Sequence, residues 1–507
     1  MSAGATEERR GRGRRARSRL PSALSTAVGR IPRAGLVCAL VATLNAAAWS
    51  LVAVPFQIPD ESSHYSYVEY LVEHGRPPAP SPIRWSPSLK AVLTDLDTER
   101  VILMPLSGTI WNRVERLRLV RDLAHVRGRD GNGGSLSDIP EPPLYYALQT
   151  VPFAVGGGGD VLDRLELMRL LSALFAGATV LGVFLFLREA LPAHPWTWSV
   201  GALAVAFLPL FALMSAGVNP DNLLFAISAA VFFMLARSFR RGLSTRRAVA
   251  IGALLALGFM TKMNFVGLLP GAILGLFVAA ARERRSWRPG TFRLPLLALA
   301  VAAAPALALV ALNVLAWERP AFGTGLYSTA AAHSSVPQAL AYAWEFYLPR
   351  LPGMPSFGLF PFPVRDLWFR GLVGGLGWFE AFFAPWVYDV ALIPALTVLA
   401  LALATLRRRR AAVRGRLAEL AVYGALAAGV LLLVAIASYD LYVRRLGDAA
   451  EARYLLPLLP LYAGMLALAT RGAGARRMRL VGTAIVMLAI AHNAFGLLLE
   501  ASRYYAA

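Results

Sequence analysis

The chain has one cysteine, Cys38, and of its 51 basic residues only two are lysine, Lys90 and Lys262. A single cysteine excludes a disulfide within the chain and a structural zinc site built on cysteines. Charge is also scarce: 16% of the residues are charged against 57% hydrophobic, and the mean hydropathy is +0.54. There is no phosphate loop, no G-x-G-x-x-G, no nucleophile elbow and no His-Glu-x-x-His. The common nucleotide-binding, hydrolase and zinc-protease signatures are therefore absent. What the chain has instead is a series of apolar runs, each about 20 residues long, the length a helix needs to cross a bilayer. Lipid offers backbone polar groups no partner, so such runs are helices. The expected class is an all-α polytopic membrane protein.

The net charge of +21 does not point to nucleic acid. The arginines sit in short segments between apolar runs, as the positive-inside rule describes. Residues 1–33 hold nine of them and read as a disordered cytosolic tail. The first span is expected at 34–56, uncleaved, with the N-terminus inside the plasma membrane. Residues 57–167 form a large outer loop. It contains an amphipathic helix from about Ile110 to Leu123, with Trp111, Val114 and Leu117 on one side, and a glycine-rich, mobile stretch from Gly128 to Ser137. Residues 141–155 form a run that is marginal for a span and are expected to lie at the interface or dip into it. Spans two to seven occupy 168–317, an outer loop covers 318–381, and spans eight to eleven occupy 382–507. The loop at 318–381 is rich in aromatics, among them Trp344, Phe346, Tyr347, Phe357, Phe360, Trp368, Trp378 and Phe379. These suit sugar platforms and interface anchors equally.

This topology brings polar residues to one outer level. Pro59-Asp60-Glu61-Ser62-Ser63-His64-Tyr65 follows the first span. Pro59 is placed to start a helix, on which Asp60 and His64 would share a face one turn apart. Glu141 precedes the interfacial helix, and Tyr145 lies in its first turn. Asp221 lies in the tight turn Asn219-Pro220-Asp221-Asn222. Lys262 lies between two wholly apolar runs, and Arg453 and Tyr454 open the tenth span. Ionisable groups next to membrane spans are costly and are candidates for function. The bland readings stand beside this one. Lys262 and Arg453 could snorkel to the interface, Asp221 could serve an Asx turn, and Pro59–Tyr65 could be a helix cap.

The order of these motifs resembles the GT-C superfamily of membrane glycosyltransferases, which includes the protein mannosyltransferases and the aminoarabinose transferases. The elements are the acid pair after span one, Pro142-Pro143-Leu144-Tyr145-Tyr146, Arg169-Leu170-Leu171-Ser172, Asp221 in the next outer turn, and Thr261-Lys262. Pro59-Asp60-Glu61-Ser62-Ser63-His64 and Ala452-Arg453-Tyr454-Leu455-Leu456-Pro457 are most similar to a bacterial branch of it. Many relatives carry His or Lys before Pro-Pro-Leu; this chain has Glu141. The resemblance implies a GT-C-like bundle of about eleven spans. It also implies inverting transfer of a sugar from a polyprenyl-phosphate donor to an envelope glycan, lipid or protein on the outer face. Asp60, Glu61 and His64 would be catalytic. Lys262, Arg453, Tyr454, Asp221, Glu141 and Tyr145 would bind substrate or donor phosphate. A divalent cation, magnesium or manganese, on Asp60, Glu61 and Asp221 stays open. So do two other functions: a transporter or lipid flippase using the acids as an ion path, and a non-catalytic envelope-assembly protein.

Overall fold

The computed structural model describes residues 31–98, 113–134, 141–284, 289–322, 335–358, 366–378, 381–444 and 451–505. Most of the expected cytosolic tail, and Trp111, Phe360 and Phe379, lie outside them. The described residues are helical and contain no β-strand beyond one isolated bridge, Leu376–Ala381. The helices of eight residues or more are α1 (Arg33–Val52), α2 (Glu61–His74), α3 (Pro87–Asp95), α4 (Arg113–His125), α5 (Leu144–Val155), α6 (Val161–Ala190), α7 (Pro195–Ala206), α8 (Pro209–Ala216), α9 (Asp221–Arg241), α10 (Thr245–Thr261), α11 (Leu269–Arg284), α12 (Arg293–Ala311), α13 (Val336–Tyr347), α14 (Pro385–Arg408), α15 (Leu417–Val443), α16 (Leu459–Gly472) and α17 (Gly474–Tyr505).

Nine helical stretches among the described residues are long and apolar enough to cross a membrane. Two of the eleven expected spans differ. The third is broken into α7 and α8, which meet at 59°. The break falls at Phe207–Leu208, just before Pro209, which lacks the N–H that would continue the ladder. The fifth, α10, has 17 residues, a length of about 25 Å, and stops at Lys262. α5 has 12 residues, too few to span.

α6 is the central post. Asp160 and Asp163 close a capping box at its start, and it packs against α1 and α9. α1 turns Cys38, Ala42, Ala46 and Trp49 inward and leaves Val37, Leu40, Leu44 and Leu51 exposed, as a helix at the lipid boundary does. In α4, Leu119 is buried while Val114 and Leu117 are exposed.

Two expectations about the outer loops need correcting. Of the glycine-rich stretch Gly128 to Ser137, residues 135–137 lie outside the described residues, and 128–134 is not a loose tether. Asn132 is bonded to Arg84 through both backbone and side chain, and to the Pro82 carbonyl. A Cβ on Gly133 (φ +64°) would lie 2.6 Å from Tyr70. These glycines serve close approach, not mobility. The aromatics of the second loop are also largely committed. Tyr342 and Phe346 are buried against α15, the Tyr342 hydroxyl pairs with that of Ser438 (2.8 Å), and Trp368 donates to the Phe346 carbonyl (2.8 Å). Of Trp344, Trp368 and Trp378, Trp344 alone is substantially exposed, at 39%.

α15 passes the short 3-10 turn before α11 almost backbone to backbone: a Cβ on Gly429 would lie 2.0 Å from the Gly267 carbonyl oxygen. Overpacking of this kind costs about 1–3 kcal/mol. Gly429→Ala should lower the thermal midpoint of the detergent-purified protein accordingly. Gly424→Ala, on the same helix with nothing within 4 Å of the new atom, should not lower it and should raise it slightly, because glycine is disfavoured inside a helix relative to alanine.

Candidate functional site

Residues 53–60 turn the chain from α1 into α2. Phe56 and Asp60 both have left-handed backbone there, with φ of 64° and 63°. Such residues cost about 1–3 kcal/mol and persist only where the surroundings hold them. Glu61 does the holding. Its buried carboxylate accepts from the backbone N–H of Phe56 (2.9 Å) and of Val218 (3.0 Å), and from Arg169 through two nitrogens (2.8 and 2.5 Å). Arg169 also donates to the carbonyls of Ser50, Ala53 and Val54, which the end of α1 leaves without partners. One ion pair thus caps a span and fixes the loop behind it. The expectation of a catalytic or metal-binding Glu61 is therefore corrected, because its acceptor positions are all used internally.

Asp60 points the other way. It is the N-cap of α2 and makes no side-chain capping bond, while its carbonyl accepts from the His64 N–H at 3.0 Å. Its carboxylate is one-third exposed and accepts from Arg453 Nη2 at 2.8 Å. Arg453 is nearly buried, pairs with Glu451 at 2.6 Å and lies over the Tyr454 ring at 5.2 Å. A second charged group stands beside this one. Lys262 Nζ is 2.9 Å from Asp221 and 3.9 Å from Glu141. The turn that carries Asp221 is fastened to the Asp60 loop. Asn219 accepts from the Asp221 N–H through Oδ1 and donates to the Pro59 carbonyl through Nδ2.

The remaining predicted residues divide. His64 Nδ1 is 2.9 Å from the Tyr146 hydroxyl, and its Nε2 is buried without a hydrogen-bond partner. Tyr146 stacks on Tyr67, whose hydroxyl donates to the Glu141 carbonyl. Tyr145, expected to bind donor, is fully buried and bonded to Ser172 and Gln149. It fastens α5 to α6 instead. Asp60, Glu61 and Asp221 do not form a metal-ligand set, since each is turned toward a different cation. Among the described residues no group of three His, Cys, Asp or Glu is placed to hold a metal ion. The donor set does not fit the divalent-cation option.

Four carboxylates here face two cations. Burial alone would raise the Asp60 carboxyl, yet Arg453 and Lys262 hold it below the ordinary value. Burial holds His64 down at about 3 against the pull of Asp60, so its ring is neutral at pH 7. Glu141 and Glu451 go the other way. Burial raises both, and outweighs Lys262 for the first and Arg453 for the second. These two acids keep their protons to higher pH than free carboxylates.

One residue had no sequence signal. Arg319 follows a π-helical turn, Leu312–Ala316, and Glu318 with φ 51°. It is 4% exposed, bonded to Asn313 through Nη1, with Nε and Nη2 buried and unpartnered, and it lies beside the Tyr67 hydroxyl. Nothing but the chain's fold separates it from the other arginines.

A family model of predicted membrane proteins, DUF2142, matches residues 44–462. The chain belongs to the DUF2142 family. The matched stretch holds every charged residue of the site, from Asp60 to Arg453, in this DUF2142 protein. A search of curated proteins finds no match. Among solved structures, the chain is similar to the crystal structure of ArnT from Cupriavidus metallidurans bound to undecaprenyl phosphate. The identity is 13% and the TM-score 0.47, covering 92% of this chain and 76% of the other.

Breaking a buried pair from one side costs about 3–5 kcal/mol, because the other charge is stranded. Glu61→Gln should lower the thermal midpoint by that order. Asp60→Asn should scarcely move it, since Arg453 keeps Glu451. Equal midpoints for the two variants would contradict the division of labour between these adjacent acids.

Proposed function

We propose that this protein is a membrane glycosyltransferase of the GT-C kind, moving a sugar from a polyprenyl-phosphate donor to a hydroxyl of an envelope acceptor with inversion. The observation that carries the reading is the accessible carboxylate of Asp60, set on a strained, clamped residue directly against Arg453, with Lys262 in the neighbouring group. A hydroxyl acceptor and an anionic leaving group need these two charges side by side.

The acceptor oxygen attacks the anomeric carbon while the bond from that carbon to the phosphate oxygen breaks. Its electron pair leaves with the lipid phosphate, and the hydroxyl proton passes to Asp60. Arg453 and Lys262 stabilise the departing charge, the type of preorganised electrostatics that often supplies the largest catalytic contribution. Arg319 is a third cation available to the same anion. Asp60 is a weak base while Arg453 holds it. When Arg453 turns to the phosphate, Asp60 loses its counter-charge and its affinity for the proton rises, as the reaction requires. The neutral His64 orients the acceptor through its free Nε2.

The excess of acids has a purpose in this scheme. Burial raises the proton affinity of Glu141 and Glu451; wherever they hold protons, Lys262 and Arg453 are less neutralised and can meet a phosphodiester, which keeps one negative charge across the working range. As pH rises these acids ionise and reclaim the cations. Donor affinity should therefore fall with rising pH, and Glu141→Gln with Glu451→Gln should flatten that fall when the donor KM is measured across pH.

The direct test uses membranes bearing wild type or Asp60→Asn, a panel of labelled polyprenyl-phosphate sugars and a cell-envelope extract. Transfer should drop about 10²–10⁴-fold in the variant, the usual contribution of a positioned base. Lys262→Ala should chiefly raise the donor KM. Undiminished transfer by Asp60→Asn removes Asp60 as base. No transfer from any donor by folded wild type returns the protein to the transport or assembly readings.

A further inference from the structure

The span that begins at the site with Arg453 ends at Arg471, on the opposite side of the bundle. There the end of α14, the start of α7 and the turn from α16 into α17 form a half-open cavity of about 330 Å³. His194, Arg408, Arg409 and Arg471 line it, together with Gly474 and Ala475 at the first turn of α17, and no acid is among its lining residues. Arginines at this end are what the positive-inside rule calls for, but that rule does not explain their convergence on an acid-free cavity. Others at the same end are neutralised. Glu189 takes Arg240 at 3.2 Å and Arg241 at 3.1 Å, and Glu419 takes Arg416 at 2.5 Å. In the cavity, Arg408 closes the end of α16 by donating to the Gly472 carbonyl (2.9 Å), while the Nε of Arg471 is buried with no hydrogen-bond partner. The His194 ring is held below its ordinary value by burial and then by Arg471 and Arg409, a field with no counter-charge. The amides opening α17, a 32-residue helix, add the partial positive charge that favours anions.

We propose that this cavity is a phosphate-binding site, distinct from the sugar-transfer site, that takes the phosphate of an anionic phospholipid head group or free phosphate. Basic pockets between spans are a known setting for lipid head groups. Such a ligand would neutralise Arg409 and Arg471 and join α14, α16 and α17 at one point.

The test is a titration of the delipidated full-length protein with phosphatidylglycerol, inorganic phosphate or phosphatidylcholine, read by its thermal unfolding midpoint. A ligand that binds only the folded state raises the midpoint saturably. Phosphatidylglycerol should do so and phosphatidylcholine should not. A matching response to inorganic phosphate would assign the site to free phosphate; its absence would assign it to the lipid. R409Q/R471Q should raise the apparent Kd at least about tenfold, since charge-assisted bonds are lost. R476Q/R477Q, two exposed arginines on the same turn outside the cavity lining, should not change it. A475E supplies an internal carboxylate at an exposed lining position, so it should melt above wild type without ligand and lose the response to anions. It carries the test alone if R409Q/R471Q does not fold. The proposal is overturned if wild type shows no saturable response to either anion, or if A475E responds as wild type does.

Discussion

The ion pair between Glu61 and Arg169 is the constraint on which the site-bearing end of the bundle depends. Both groups are buried, and between them they satisfy two backbone N–H groups and three carbonyls drawn from α1, the following loop and the turn before α9. Taking two charges out of water is costly, and a pair as such is weak evidence of stability. Its value here lies in the number of otherwise orphaned groups it completes and in the strained backbone it keeps in place. Asp60 occupies a left-handed conformation because Glu61, one residue on, cannot move. The geometry of the accessible acid is thus set by its inaccessible neighbour.

From that fixed point the charges alternate. Asp60 meets Arg453, which meets Glu451; Asp221 meets Lys262, which meets Glu141. Every cation has two acids, and in each group one acid is raised by burial and ready to be neutral. Such an arrangement is poorly suited to a permanent structural lock, which is better served by matched pairs like Glu61 and Arg169. It suits cations that must exchange partners when an anion arrives. Burial supplies both halves of this behaviour: it raises the proton affinity of the surplus acids, and it strengthens whatever attraction the cations do make.

The spans were legible because a 20-residue apolar run has few other uses, and their ends were marked by arginine clusters or proline. The gathering of Asp60, Glu141, Asp221, Lys262 and Arg453 at one level was legible for the same reason: topology alone places span ends on one side. Which of two adjacent acids faces inward was not, since it depends on Arg169, 108 residues away in sequence. Tyr145 likewise reads as a site residue until Ser172 and Gln149 are found around its hydroxyl. The glycines at 131–134 suggested mobility because sequence does not show what backbone they approach. Arg319 was invisible among so many arginines; its burial is a property of the fold, not of its neighbours.

The rarity of lysine then acquires a physical reading at Lys262. This chain supplies a cation with arginine almost everywhere, whether to cap α1, to pair with Asp60 or to clothe the opposite end. Arginine offers a rigid planar fork that suits a single bidentate partner, whereas lysine is a compact charge with three rotatable donors. Arg453 meets its two acids through separate nitrogens of that fork, Nη2 toward Asp60 and Nε toward Glu451, whereas Asp221 and Glu141 approach a single nitrogen from different elements at 2.9 and 3.9 Å. A point charge serves both and can pivot to a third oxygen without repacking its stem. Lys262 is therefore a position where two acids converge on one compact charge.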